Sequence, residues 1–193
     1  MSKEQFLGVF IHPTALVDEG AHIGEGTKVW CFSHVQSGAV IGAGCTLGQN
    51  VNVADGVIVG DNCKIQNNVS LYSGVELADG VFCGPSCVFT NDLTPRALYP
   101  KGCARYIHTP VHCGATIGAN ATVVCGHELG KWCMVGAGAV VVDDVPAHAL
   151  VLGVPAHQVG WVCECGARLS EDYACPSCGR HYQVTNSGLE EER

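Results

Sequence analysis

An aliphatic residue, Cys or Phe stands at every sixth position from Ile11 to Phe89: Ile11, Val17, Ile23, Val29, Val35, Ile41, Leu47, Val53, Val59, Ile65, Leu71, Leu77, Cys83 and Phe89. Four residues after nearly every one comes a small or β-branched residue, as in Ala21, Thr27, Ser33, Ala39, Cys45, Val51, Val57, Cys63, Val69 and Cys87. A period of six fits neither a 3.6-residue helix nor the alternation of a hairpin. It suits short strands joined by turns and wound into a parallel β-helix. With three hexads per coil, residues 18 apart stack. The pattern lapses after residue 91 and resumes at Val111, Ile117, Val123, Leu129, Val135 and Val141, so residues 92–110 read as an inserted loop rather than an end. The count predicts about six and a half coils, a prism on the order of 30 Å tall at roughly 4.8 Å per coil.

Gly numbers 25 and only 15% of residues are charged, a balance of tight turns with little exposed helix. The net charge of −8 argues against a nucleic-acid or anionic-membrane binder, which needs a basic face. No run reaches the roughly 18 apolar residues of a membrane span, and MSKEQFLGVFIHP lacks the basic and apolar segments of an export signal. A cytoplasmic protein is therefore expected. Thirteen cysteines, an odd number without an export signal, read as reduced thiols and metal ligands rather than disulfides. At inward hexad positions Cys45, Cys63 and Cys87 read as small buried hydrophobes.

Beyond Trp161 the composition changes. Cys163, Cys165, Cys175 and Cys178 form two pairs in VCECGARLSEDYACPSCGRHY, each followed by Gly. Four thiolates at this spacing suit a structural zinc ribbon, although Cys-x-Cys is one residue shorter than common, and His181 is an alternative ligand. The expected organisation is a lead-in at 1–10, the repeat domain at 11–160, the ribbon at 161–183 and a disordered tail at 184–193.

The hexads IGEGTK, IGAGCT, IGANAT and VGAGAV, closed by GVPA at 153–156, resemble the hexapeptide-repeat acyltransferases. That resemblance implies an all-β, left-handed parallel β-helix, homotrimers, and acyl-donor sites in clefts between prisms. Further segments, GQNV, KIQNNVS, VFCGPSCVFTN and the Pro-Arg after Asn91-Asp-Leu-Thr, are similar to nucleotide-sugar N-acetyltransferases that acetylate a 3-amino group. Those enzymes act on UDP-2-acetamido-3-amino-glucuronate or dTDP-3-amino-deoxyhexoses, for cell-surface glycans such as lipopolysaccharide O-antigen. The implied reaction moves acetyl from acetyl-CoA directly to the amine, without an acyl-enzyme.

A sugar amine titrates near an α-amino group, about 7.7–8.0, so a useful fraction is neutral without a strong base. The enzyme mainly has to align amine and thioester and stabilise the oxyanion. The resemblance places an amine-orienting Asn at Asn91. His34, stacked over Asn52 and Ser70, is the best candidate for a base, with His127 a second. Gln49, Asn50, Lys64, Gln66, Asn67 and Asn68 form a polar strip that would take the sugar nucleotide. Of ten Lys and Arg, three lie in the loop as Arg96, Lys101 and Arg105, where they would meet phosphate or sugar carboxylate. Lys131, Gly136, Ala137 and Val154 are the candidates for CoA.

Other readings keep the fold and change the chemistry. An acyltransferase acting on a hydroxyl would need a base. A metal hydratase resembling γ-type carbonic anhydrases would need three interface His ligands, and His12, His22, His34, His108, His112 and His127 show no such spacing. A non-catalytic scaffold would bind no acetyl-CoA.

Overall fold

In a computed structural model, residues 8–192 are described, so most of the expected lead-in at 1–10 lies outside the described residues. The described residues are all-β apart from a single 3-10 turn at Cys103–Arg105. Almost every strand of the repeat is two residues long, because one outward and one inward residue are all that a hexad allows between turns. The strands stack in parallel into three sheets. One face runs Phe10–Ile11, Lys28–Val29, Thr46–Leu47, Lys64–Ile65, Phe82–Cys83, Thr116–Ile117, Met134–Val135 and Ala149–Leu152, and is closed by the antiparallel strand His157–Trp161. The second face carries the rungs of Val17, Val35, Val53, Leu71, Phe89, Val123 and Val141. The third carries those of Ile23, Ile41, Val59, Leu77 and Val111, continued by bridges at Leu129 and Val145.

The inward residues of the hexads make one continuous core, with Val29, Val35, Leu47, Val53, Ile65, Leu71, Ile117, Leu129 and Val135 fully buried. Cys45, Cys63 and Cys87 are buried at the narrow inward positions. Polar atoms there are satisfied between coils. The Thr27 hydroxyl donates to the Gly42 carbonyl (2.8 Å) and accepts from the Cys45 N–H (2.9 Å), and Ser33 repeats the device with Gly48 and Val51. The thiols of Cys45 and Cys63 likewise donate to the carbonyls of Gly60 and Ala78, each at 3.1 Å. Burial pushes the Cys133 thiol up to about 12, so it stays protonated.

Register shows what the loop adds. Lys64 stands opposite Phe82, one regular coil later, whereas Phe82 stands opposite Thr116, after nearly twice that length of chain. The surplus leaves and rejoins the prism between two neighbouring rungs, and the ladder continues undisturbed on either side. The prism is taller than the hexad count predicts. The Ile11 face has eight parallel rungs, seven steps or roughly 34 Å. The last turn is shortened: Met134 pairs with Leu150 rather than with the residue a full coil away, so Val145 and Val151 fall out of the six-residue phase and escape the pattern.

The tail corrects a second expectation. Residues 184–192 are ordered, with Tyr182–Thr185 pairing antiparallel to Gly188–Glu191. The hairpin lies on the end of the prism: Ala147 N–H donates to Ser187 O (2.9 Å) and Leu189 N–H to Ala147 O (3.1 Å). Gly188 is required there, since a Cβ would come within 2.3 Å of the Ala147 carbonyl oxygen. Leu189, buried with Leu169, Tyr182, Cys163 and Cys175, supplies the apolar anchor that the acidic composition of the tail hides. No helix among the described residues is long and apolar enough to cross a membrane.

Candidate functional site

The loop leaves the prism after Phe89 and is cinched at its neck. Ile107 N–H donates to the Asn91 carbonyl (3.0 Å), and Cys125 N–H to the Thr90 hydroxyl (3.0 Å). Asn91 is thereby fixed, half-buried, and its side-chain amide makes no hydrogen bond among the described residues. Beyond it, Lys101 is not a free cation: it donates to the Asp92 carboxylate and the Thr94 hydroxyl, and Thr94 N–H also donates to Asp92. Lys101 and the Thr94 amide hold the Asp92 carboxyl below its ordinary range. Arg96 and Arg105 are exposed, as are Leu98 and Tyr99. Of the loop's three cations, Lys101 braces the fold and the two arginines face solvent.

His34 lies on the Val17 face, opposite Asn52, which stands opposite Ser70, as the stacking of successive coils predicts. Its Nε2 lies 3.0 Å from Asp18 Oδ2. Asp18 was not singled out in the sequence. A legible signal exists, because a residue just after one inward position meets the residue just before the inward position of the next coil. Gln36 with Asn52 and His112 with Glu128 pair by the same diagonal. A carboxylate on Nε2 fixes the imidazole tautomer and leaves Nδ1 as the free ring nitrogen. Along this face His34 and Val88 are three rungs apart, about 14 Å at roughly 4.8 Å per rung, so His34 and Asn91 do not meet within one chain.

The polar strip occupies the corner between the Ile11 and Val17 faces. Gln49 N–H donates to Asn67 Oδ1 (2.9 Å) and Asn50 Nδ2 to Asn68 Oδ1 (3.1 Å). Asn50 and Asn68 have φ of 57° and 62°, and the same corner holds Ser86 at 58° and Asn120 at 56°. This left-handed geometry is what Asn tolerates best after Gly, which explains the residue type at the corner by backbone alone. Gln66 opens the same turn, half-buried, while Lys64 points outward from the Ile11 face. The strip and Asn91 lie at the two opposite corners of the Val17 face, so a single chain keeps them apart.

Lys131 and the remaining donor-side candidates also separate. Lys131 precedes the strand Met134–Val135 and Gly136 and Ala137 follow it, so the Ile11 face lies between them. Val154 is exposed beyond the last rung. Lys131 lines a cavity of about 920 Å3 between the prism end and the hairpin, which also holds Glu128, Asp144, Glu164, Glu190 and Glu191. Five carboxylates against one lysine repel phosphate. His127 Nδ1 sits 3.7 Å from Asp144.

In the ribbon, the four sulfurs of Cys163, Cys165, Cys175 and Cys178 lie within 4.8 Å of one another, and among the described residues no other His, Cys, Asp or Glu group of three or more is clustered tightly enough for a metal. His181 is not part of it.

Two family profiles match these coils: "Bacterial transferase hexapeptide (six repeats)" over residues 20–55, and "Hexapeptide repeat of succinyl-transferase" over 38–73 and 114–142. The match is confined to the coils within residues 20–73 and 114–142. With these repeats the chain is 42% identical over 80 residues to the dTDP-3-amino-3,6-dideoxy-alpha-D-galactopyranose 3-N-acetyltransferase of Aneurinibacillus thermoaerophilus, covering 40% of this chain and 42% of the relative. It is 34% identical over 92 residues to the serine acetyltransferase of Escherichia coli K12, covering 45% and 33%. The chain thus spans less than half the length of these relatives. Two solved structures share the fold at a TM-score of 0.52: a putative acetyltransferase of Bacillus cereus (16% identity, 81% and 85% covered) and a variant of the N-acyltransferase AntD from the same organism in complex with dTDP and coenzyme A (14%, 83% and 89%).

Proposed function

We propose that the chain is an acetyl-CoA-dependent N-acetyltransferase acting on the 3-amino group of a nucleotide-linked amino sugar. The observation that carries this is the 42% identity to a dTDP-amino-sugar 3-N-acetyltransferase. The loop supports it: a regular coil has no wall to surround a ligand, and here the inserted segment supplies one. The neutral amine attacks the thioester carbonyl, the C–N bond forms, the C–S bond breaks, and the amine proton leaves with the CoA thiol or to water. Asn91, fixed at the loop neck with its amide free, accepts a hydrogen bond from the amine and points its lone pair at the carbonyl. Arg96 offers its planar fork to the diphosphate, and Lys64 and Gln66 extend the acceptor side.

Because the loop lies apart from the polar corner and His34 in one chain, the reading includes a homotrimer in which neighbouring prisms bring them together. Gly136, Ala137 and Val154 are the donor-side candidates kept here; Lys131 is set aside because of its acidic surroundings. His34, held by Asp18, is a positioning or proton-accepting group that direct attack does not require. The deciding measurement is free-CoA release with a panel of UDP- and dTDP-3-amino sugars. Release with one of them and none with serine is expected; release with serine or a plain hexose alone overturns the reading.

A further inference from the structure

The protein contains two chemically different sets of cysteine. In the prism, Cys45 and Cys63 donate their S–H to backbone carbonyls, as neutral thiols do. In the ribbon the direction reverses. Tyr182 Oη lies 3.1 Å from Cys163 Sγ while accepting the Glu164 N–H at 3.2 Å, which leaves its own proton for the sulfur. The four sulfurs lie within 4.8 Å of one another. Cys163 and Cys178 are 3.4 Å apart and Cys165 and Cys175 3.6 Å. Four sulfurs around Zn2+ at about 2.3 Å would stand roughly 3.8 Å from one another, so the cage has the right size.

From this cage a chain of contacts runs to the end of the prism. Tyr182 opens the terminal hairpin, and its ring packs on His148 (centroids 4.8 Å, 55°). Arg180 joins Glu164 in the knuckle (3.5 Å) to Glu191 in the hairpin (3.3 Å). Trp161 packs against both the prism core and the ribbon cluster. The hairpin in turn covers the Ala147 backbone, the exposed edge of the final coil. A two-stranded hairpin is marginal alone, and a cluster of a few side chains is too small to fold unaided.

We propose that Cys163, Cys165, Cys175 and Cys178 bind one zinc ion as four thiolates, and that this ion is what locks the hairpin 182–191 over the edge of the last coil. The ion is thus a clasp for the prism end rather than part of acetyl transfer, and the inference stands whether or not the acetyl-transfer reading does.

The test uses the full chain. Native mass spectrometry and elemental analysis should find one zinc per chain, held through gel filtration. Removing it with a chelator should raise hydrogen exchange at the Ala147 and Leu189 amides and across 182–191, leave rungs such as Val35 and Leu71 protected, and change Trp161 emission; adding Zn2+ alone should restore all three. Tyr182→Phe should keep the stoichiometry and weaken zinc in chelator competition by about 10–100-fold. A chain purified with no zinc whose intact mass is four hydrogens short, meaning two disulfides, overturns the proposal. So does another metal at full occupancy. Unchanged protection of the hairpin after zinc removal overturns the clasp.

Discussion

Asn68 shows how one residue type can answer two demands. Its φ of 62° is available to Gly at no cost and to Asn at little, whereas Ala there loses about 1–2 kcal/mol. Asn68→Gly should therefore melt within a few tenths of a kcal/mol of the parent and Asn68→Ala about 1 kcal/mol lower, by chemical denaturation. If the side chain also binds the sugar nucleotide, both variants raise KM alike, which separates recognition from turn geometry. Asn91 has no such backbone reason, and Asn91→Ala should lower kcat by about 100-fold in the CoA-release assay, while His34→Ala, with direct attack, stays within a few-fold. His148 makes a pH prediction. It is buried, which lowers its pKa from the ordinary 6.5, against the pull of the Val162 carbonyl, Glu164 and Glu191. The unfolded chain then takes up a proton first as pH drops below about 6.5, so this contribution to stability is complete above that value and is lost below it. His148→Gln should flatten the decline in stability between pH 7 and 5.

At the scale of the element, the coils were legible because each hexad states its turn, its inward aliphatic and its small partner in six letters. What escaped was whatever changed that count. Val145 and Val151 continue the prism but follow Val141 out of step with the hexads, so a six-residue search ends one rung early. Asp18 escaped because its meaning lies on the diagonal to His34, not in the column of residues stacked directly above it. The charge on Lys101 was visible, its partner Asp92 was not, since loop geometry has no period to read. The loop itself offers a clean experiment. Deleting the segment 92–107 restores the regular coil length between Phe82 and Thr116, and leaves Thr109 and Val111 in phase with Phe89. The shortened chain should fold and melt cooperatively, with circular dichroism of the parent, yet release CoA more than about 100-fold more slowly, because it keeps the scaffold and loses the positioning of the acceptor.

For the molecule as a whole, each face of the prism ends differently at the C-terminus. The Ile11 face is closed by an antiparallel strand at His157–Trp161, the Ile23 face by the hairpin on Ala147, and the Val17 face by single bonds in which Val140 N–H reaches Gly153 O and Ala156 N–H reaches Val140 O, at 3.0 and 2.8 Å. Unlike a repeat that stops on its own last unit, this chain reserves the whole stretch beyond its last hexad for finishing. A column of parallel rungs is also a template: an open final coil offers its free N–H and C=O groups to the first coil of another copy, and nothing in the hexads themselves limits how long such a stack could grow. The finishing segment makes the prism a polymer of fixed length. Its cost in sequence is repaid by a final coil whose edges are already paired.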